Sequence, residues 1–261
     1  MKKIYSTLAI LLLSLPGMAQ LFQKPVLSGM YLQWGYNRDW FTRSNLHFSN
    51  AGQYDFTLYK AKAKDKPDFS GFWDTPLDIT IPQNSYRIGL YLNKAQTHAI
   101  EINFDHAKYV VEDYQTLHIE GTIHGERLNK DTLVTPWFVH LEHTNGANFY
   151  HLNYVGQQEL YRNKKRKMAS AVYKVGAGIV VPRSDVTIMG TRLDNKFTVA
   201  GYILSAEAGL RFYPFRNFFI EATGKGGFAN YLNALTVAGG RVQHSFGYVE
   251  VVGLIGYDIH F

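Results

Sequence analysis

The residues best suited to chemistry are His47 and Ser49, in the run His47-Phe48-Ser49-Asn50. On an extended chain alternate side chains share a face, so these two project together, as a general base and a hydroxyl nucleophile must. Such a base also needs an orienting group, for which Asp55 and Glu112 are the acidic candidates. The same residues also read as a polar entry into a long connection. A second cluster, His140-Leu141-Glu142-His143, has the composition of a metal site but not the spacing. Zincin histidines lie four apart on a helix, whereas residues three apart on a strand point to opposite faces. Gly224-Lys225-Gly226-Gly227 lacks the leading glycine spacing and the hydroxyl residue of a phosphate-binding loop. The chain has no cysteine, so disulfides, thiolate zinc and iron–sulfur sites are excluded. The expectation is no metal and no cofactor.

The elements that would position these residues are read from the pattern around them. Residues 1–19 have Lys2 and Lys3, an apolar stretch from Leu8 to Leu15, and Gly17-Met18-Ala19 as a small-residue processing site. That is the form of a secretory signal cleaved after Ala19, with an apolar core shorter than the roughly 20 residues of a membrane helix. Without Lys2 and Lys3 the 27 basic residues become 25 against 21 acids, a balance of +4 that gives no footprint for nucleic acid. Beyond Gln20 no run is apolar enough for a spanning helix. The choices are an exported soluble β-protein or a closed barrel, because unpaired backbone groups are too costly in hydrocarbon.

A barrel strand needs about 9–11 residues with every second side chain apolar. Ile100, Ile102 and Phe104 alternate with Glu101, Asn103 and Asp105 in a strand read from His98 to Val110. Val249, Val251, Ile255, Tyr257, Ile259 and Phe261 alternate with Glu250, Gly256, Asp258 and His260. The same dyad runs through Met30–Asn37, Tyr86–Leu92, Ser205–Phe212 and Phe218–Lys225, and more weakly through Phe149–Val155 and Ala171–Val181. The count of eight is even and places both termini at one end. Connections alternate in length: Asn93–Thr97, Asn163–Lys167 and Pro214–Asn217 are short, whereas 41–82, 112–148, 183–197 and 232–247 are long. Short inner turns with long external loops are the outer-membrane arrangement, and aromatic residues near the strand ends suit its interfacial girdles.

With its export signal, this loop order and the closing strand GYVEVVGLIGYDIHF, the chain resembles the small eight-stranded outer-membrane β-barrel proteins of Gram-negative bacteria. The resemblance covers Gly29 to Phe261. It implies an all-β fold, an eight-stranded antiparallel up-and-down transmembrane barrel, with 20–261 a single domain in the outer membrane. It also implies that Tyr257, Ile259 and Phe261 are a signal read by the barrel-insertion machinery. The His–Ser pair is similar to that of the outer-membrane lipid A deacylases of the PagL type, although there the motif lies late in the chain and here it follows the first strand. A lipid A hydrolase using His47 and Ser49 is therefore the alternative to a non-enzymatic barrel with a structural, adhesion or envelope-complex role.

In a barrel the dyad turns Arg87, Lys174, Arg211 and Lys225 inward with Glu101, Asp105, Glu207, Glu221, Glu250 and Asp258. Eight strands enclose just enough room for side chains, so a lumen filled by ion pairs is expected in place of a water channel. In the first connection Lys60, Lys62, Lys64 and Lys66 would share one face. They would either meet the phosphates of outer-membrane lipid and lipopolysaccharide or serve as a solvated edge that discourages aggregation. An envelope protein bound through the external loops is the remaining partner expected.

Overall fold

The computed structural model describes residues 27–74, 83–144, 146–164, 166–194 and 196–261. The expected signal segment and its processing site lie outside these residues. In chain order the strands are β1 (Gly29–Phe41), β2 (Ser44–Asn50), β3 (Tyr54–Ala61), β4 (Ala63–Lys64), β5 (Asn84–Tyr91), β6 (His98–Asp105), β7 (Tyr109–Val111), β8 (Gln115–Ile123) and β9 (Glu126–Val134). They continue with β10 (Val139–His143), β11 (Phe149–Asn163), β12 (Arg166–Val180), β13 (Asp185–Ile188), β14 (Thr191–Asp194), β15 (Gly201–Phe212), β16 (Phe218–Leu235) and β17 (Arg241–His260).

Eight of these strands, β1, β5, β6, β11, β12, β15, β16 and β17, pair in that order, and β17 returns to pair with β1. Every junction is antiparallel, and the closing one runs from Gly29 opposite His260 to Phe41 opposite Tyr248. The chain therefore forms a closed up-and-down barrel, as the dyads predict. Closure leaves the ring itself without an edge, so each barrel strand spends its backbone donors and acceptors on its two neighbours. Outward side chains such as Leu32, Ile88, Ile102, Leu152, Val251 and Ile255 are exposed, whereas their sequence neighbours Gln33, Arg87, Glu101, Asn153, Glu250 and Leu254 are buried. Close strand approach dictates glycine at positions such as Gly178 and Gly35. A Cβ on Gly178 would collide with the Tyr150 carbonyl, and one on Gly35 with that of Gly253.

Both described chain ends lie at the end of the barrel that carries the short β5–β6, β11–β12 and β15–β16 turns. At the other end the structure departs from the expectation of loops. β2, β3, β8 and β9 extend the barrel sheet from the outer part of β17, where Arg241 pairs with Ser49 and Gln243 with His47. β4, β7, β10, β13 and β14 form a second, five-stranded sheet. Segment 232–247 is strand except for residues 236–240, because β16 and β17 pair with each other beyond the rim as far as Leu235 opposite Arg241. The strand read to Val110 ends at Asp105, where its partners β5 and β11 also begin; Tyr109–Val111 joins the second sheet instead. The reason is a second set of dyads, such as Leu46 and Phe48, Phe56 and Leu58, and Leu117 and Ile119, all buried in one core between the two sheets. Fully burying each such side chain contributes about 1.5–3 kcal/mol.

Candidate functional site

The lumen has three levels, and each follows from the inward half of the dyads. At the end with the short turns, Tyr31, Tyr91, Tyr213 and Phe219 pack with Ala99 and Val155 as an aromatic plug. Tyr31 and Tyr91 rings lie 5.2 Å apart, and the Arg211 guanidinium covers the Phe219 ring at 4.0 Å. At the far end Phe149, Val180, Ile203, Ala229, Tyr231 and Tyr248 face inward and merge with the core of the outer sheets.

Between the two lies the charged level. Arg87 Nη1 donates to Glu207 Oε1 at 2.5 Å. Lys174 Nζ sits between Glu101 Oε2 at 3.1 Å and Glu221 Oε1 at 2.9 Å, and Arg211 Nε takes the other Glu221 oxygen at 2.7 Å. Lys225 pairs with Asp105 and with Glu250 Oε2, the latter at 2.9 Å. Each of these charges is buried. Asp258 departs from the expected ion pairs: its Oδ1 accepts from the Tyr91 hydroxyl at 2.7 Å, and Arg211 Nη1 donates to that same hydroxyl at 3.0 Å.

Neutral groups outside the expected ion-pair set complete the network. Tyr31 and Asn153 donate to Glu101, Asn37 to Glu250, and Ser85 and Asn103 to Asp105. Asp39 is a further buried acid, held by Gln83 Nε2 at 2.8 Å. Ser85 and Asn103 share the inward parity of Arg87 and Glu101 on their own strands, which was the signal available for them. In a medium of low dielectric a lone charge is prohibitive, and mutual pairing with added hydrogen bonds is what makes this level tolerable.

His47 and Ser49 lie on the solvent face of β2, while Leu46 and Phe48 face the core. The imidazole Nδ1 bonds to the Thr57 hydroxyl at 3.1 Å, and Nε2 lies 3.6 Å from Asp55 Oδ1. Two residues along one strand are separated by about 6.5 Å, and the hydrogen-bonded neighbour of His47 is Thr57, not Ser49. Glu112 lies apart from them, past the end of β7 in the second sheet. Ser49 and Asp55 do help to line an open cleft of about 580 Å³ at the outer tip, with Asn50, Gln53, Thr122 and Arg241.

Lys60, Lys62, Lys64 and Lys66 are all exposed, though the strand is bent where Lys60 adopts a left-handed φ of +59°. Lys66 is committed to Glu142 at 3.2 Å. The same carboxylate lies 3.2 Å from His140 Nε2, whose Nδ1 meets Asp113 at 2.9 Å. Hydrogen bonding to Glu142 raises the His140 pKa to about 9, and the same bond lowers that of Glu142 to about 2. His143, on the opposite face of β10, is buried, and desolvation lowers it to about 3. Tyr257, Ile259 and Phe261 point outward at the barrel end that carries the termini.

No protein-family model matches the sequence, and no curated protein does. Among solved structures the chain is similar to the outer membrane protein OprG from Pseudomonas aeruginosa, at 10% identity and a TM-score of 0.44 over 91% of this chain and 99% of that one. It is also similar to the outer membrane protease OmpT from Escherichia coli, at 8% identity and a TM-score of 0.40 over 90% and 97% of the chains. For Neisserial surface protein A the figures are 8% identity and 0.39 over 87% and 96%. The ring of eight strands is a property of this chain's own pairing.

Proposed function

We propose that the chain is an exported, non-enzymatic outer-membrane β-barrel whose closed lumen anchors a folded external platform for adhesion, ligand contact or association with another envelope protein. One observation carries the reading: around the ring, outward side chains are apolar and exposed, while at mid-height the buried inward ones are charged and mutually paired. Such a wall is stable only where its outside meets hydrocarbon. The connection lengths support an orientation with the termini and short turns in the periplasm. Residues 1–19 would direct export, and Tyr257, Ile259 and Phe261 would engage the insertion machinery. Lys60, Lys62 and Lys64, above the outer rim, would meet lipopolysaccharide phosphates through charge-assisted bonds.

The test is reconstitution into planar bilayers after recovery from the outer-membrane fraction. A plugged barrel gives no stepwise conductance, and discrete channel openings would overturn the reading, as would recovery of the mature chain in the soluble fraction. Ser49→Ala should leave lipid A acylation unchanged by mass analysis; a lost acyl-chain cleavage would restore the hydrolase.

A further inference from the structure

At the end with the short turns, two connections distant in sequence bring basic side chains together. The β11–β12 turn supplies Asn163, Lys164 and Arg166, the β15–β16 turn supplies Arg216, and these four line a cleft of about 580 Å³. The geometry explains why they reach it. β6 pairs with β11 only as far as Gly156, and β15 pairs with β12 only as far as Ala169, so the hairpin beyond them projects from the barrel wall as a two-stranded ribbon.

The other charges of the ribbon are already committed. Arg162 is held by Glu159, and Lys167 donates to Gln157 at 3.0 Å while lying over the Tyr213 ring. Among the described residues no acid pairs with Lys164, Arg166 or Arg216. Like charges converging on one open cleft raise the local concentration of anions. Leu160, Tyr161 and Phe215, from the same ribbon and turn, are 56%, 59% and 67% exposed, which sets apolar surface close to the cations.

We infer that Lys164, Arg166 and Arg216 form a binding site for the phosphate of an anionic phospholipid in the periplasmic leaflet, with Leu160, Tyr161 and Phe215 against its acyl region. The inference rests on the membrane reading above. A guanidinium pair suits a phosphodiester because each planar fork donates two parallel N–H bonds, while the ammonium adds a point charge. The apolar neighbours select an anion that arrives on a hydrocarbon tail over one free in solution. Basic residues next to an anionic membrane surface contribute on the order of a fivefold gain in affinity each.

The experiment compares the full mature chain in phosphatidylglycerol and phosphatidylcholine bilayers, with lipid retention read by native mass spectrometry. Wild type should retain phosphatidylglycerol preferentially. Arg166→Gln and Arg216→Gln should each cut that preference by about fivefold, and the double variant should abolish it. Melting in phosphatidylcholine, where the site has no anionic ligand, should be unchanged and shows that the variants fold. Equal retention of both lipids, or a preference unaffected by the double variant, overturns the site. Displacement by glycerol phosphate as effective as by phosphatidylglycerol overturns the lipid as its ligand. A chain that enters neither bilayer overturns the membrane reading itself, and the site with it.

Discussion

His143 and His244 meet Nε2 to Nε2 at 3.3 Å, joining the second outer sheet to the barrel strand β17. The rings are stacked with Tyr231 at 4.9 and 4.6 Å and flanked by Tyr109 and Phe246, and His143 Nδ1 pairs with Ser184 Oγ at 2.8 Å. With both rings neutral, one Nε2 donates and the other accepts; with both protonated, two donors and two charges face each other in an apolar core.

The His143 pKa is about 3 in the fold against about 6.5 when exposed, so the unfolded chain takes up its proton first. Stability from this residue is therefore full above about pH 6.5 and declines as pH falls toward about 3. Hydrogen-exchange protection of β10, corrected for the intrinsic exchange rate at each pH, should fall over that interval, and His143→Phe should flatten the dependence. A wild-type profile that is level from pH 7 to pH 4 would remove this account.

The half-buried neighbours on the other face of β10, His140 and Glu142, are shifted in opposite senses. His140, raised to about 9, stabilises fully below about 6.5 and loses its contribution as pH climbs through about 9. Glu142, lowered to about 2, contributes fully above about 4.5 and loses it as pH drops through about 2. Glu142→Gln should bring the imidazole titration of His140 back toward ordinary values in an NMR pH series. An unmoved titration would show that Asp113 alone sets it.

Lys174 joins Glu101, Glu207 and Glu221. Lys174→Met should cost about 3–5 kcal/mol in denaturant unfolding from lipid vesicles, since it strands buried carboxylates. Pairing Lys174→Met with Glu101→Gln should recover part of that loss. Additive losses in the double variant would deny the coupling.

Gly178 and Gly224 are both barrel glycines, yet only the first has a neighbour in the way of a side chain. Gly178→Ala should slow folding into vesicles or abolish it, because the Tyr150 carbonyl must move. Gly224→Ala, with open space around it, should be neutral or stabilising by up to about 1 kcal/mol. The reverse order would mean that the outward wall at Gly224 is occupied.

The sheets beyond the barrel rim show what the linear pattern hides. Dyads such as Leu46/Phe48 and Phe56/Leu58 are present in the segment read as loop, but they are short and interrupted. Lys60 breaks one at a left-handed φ, and β4 has only two residues. Nothing local says whether such a strand pairs with the barrel, with a second sheet or with nothing. The same holds for His244, whose parity along β17 predicts an inward ring but cannot name His143, 101 residues away, as its partner.

By itself the sequence determined the eight barrel strands, their antiparallel order, the side of the wall each residue faces, and hence the composition of the lumen. Those properties follow from a period of two and from connection length, which are local and survive without coordinates. The tertiary structure alone decided which lumen acid meets which base, that Asp258 answers to Tyr91, that His47 leans on Thr57, and that the long connections build a core. Those depend on register and curvature, through which residues on different strands come within bonding distance, and no spacing along one chain encodes that distance.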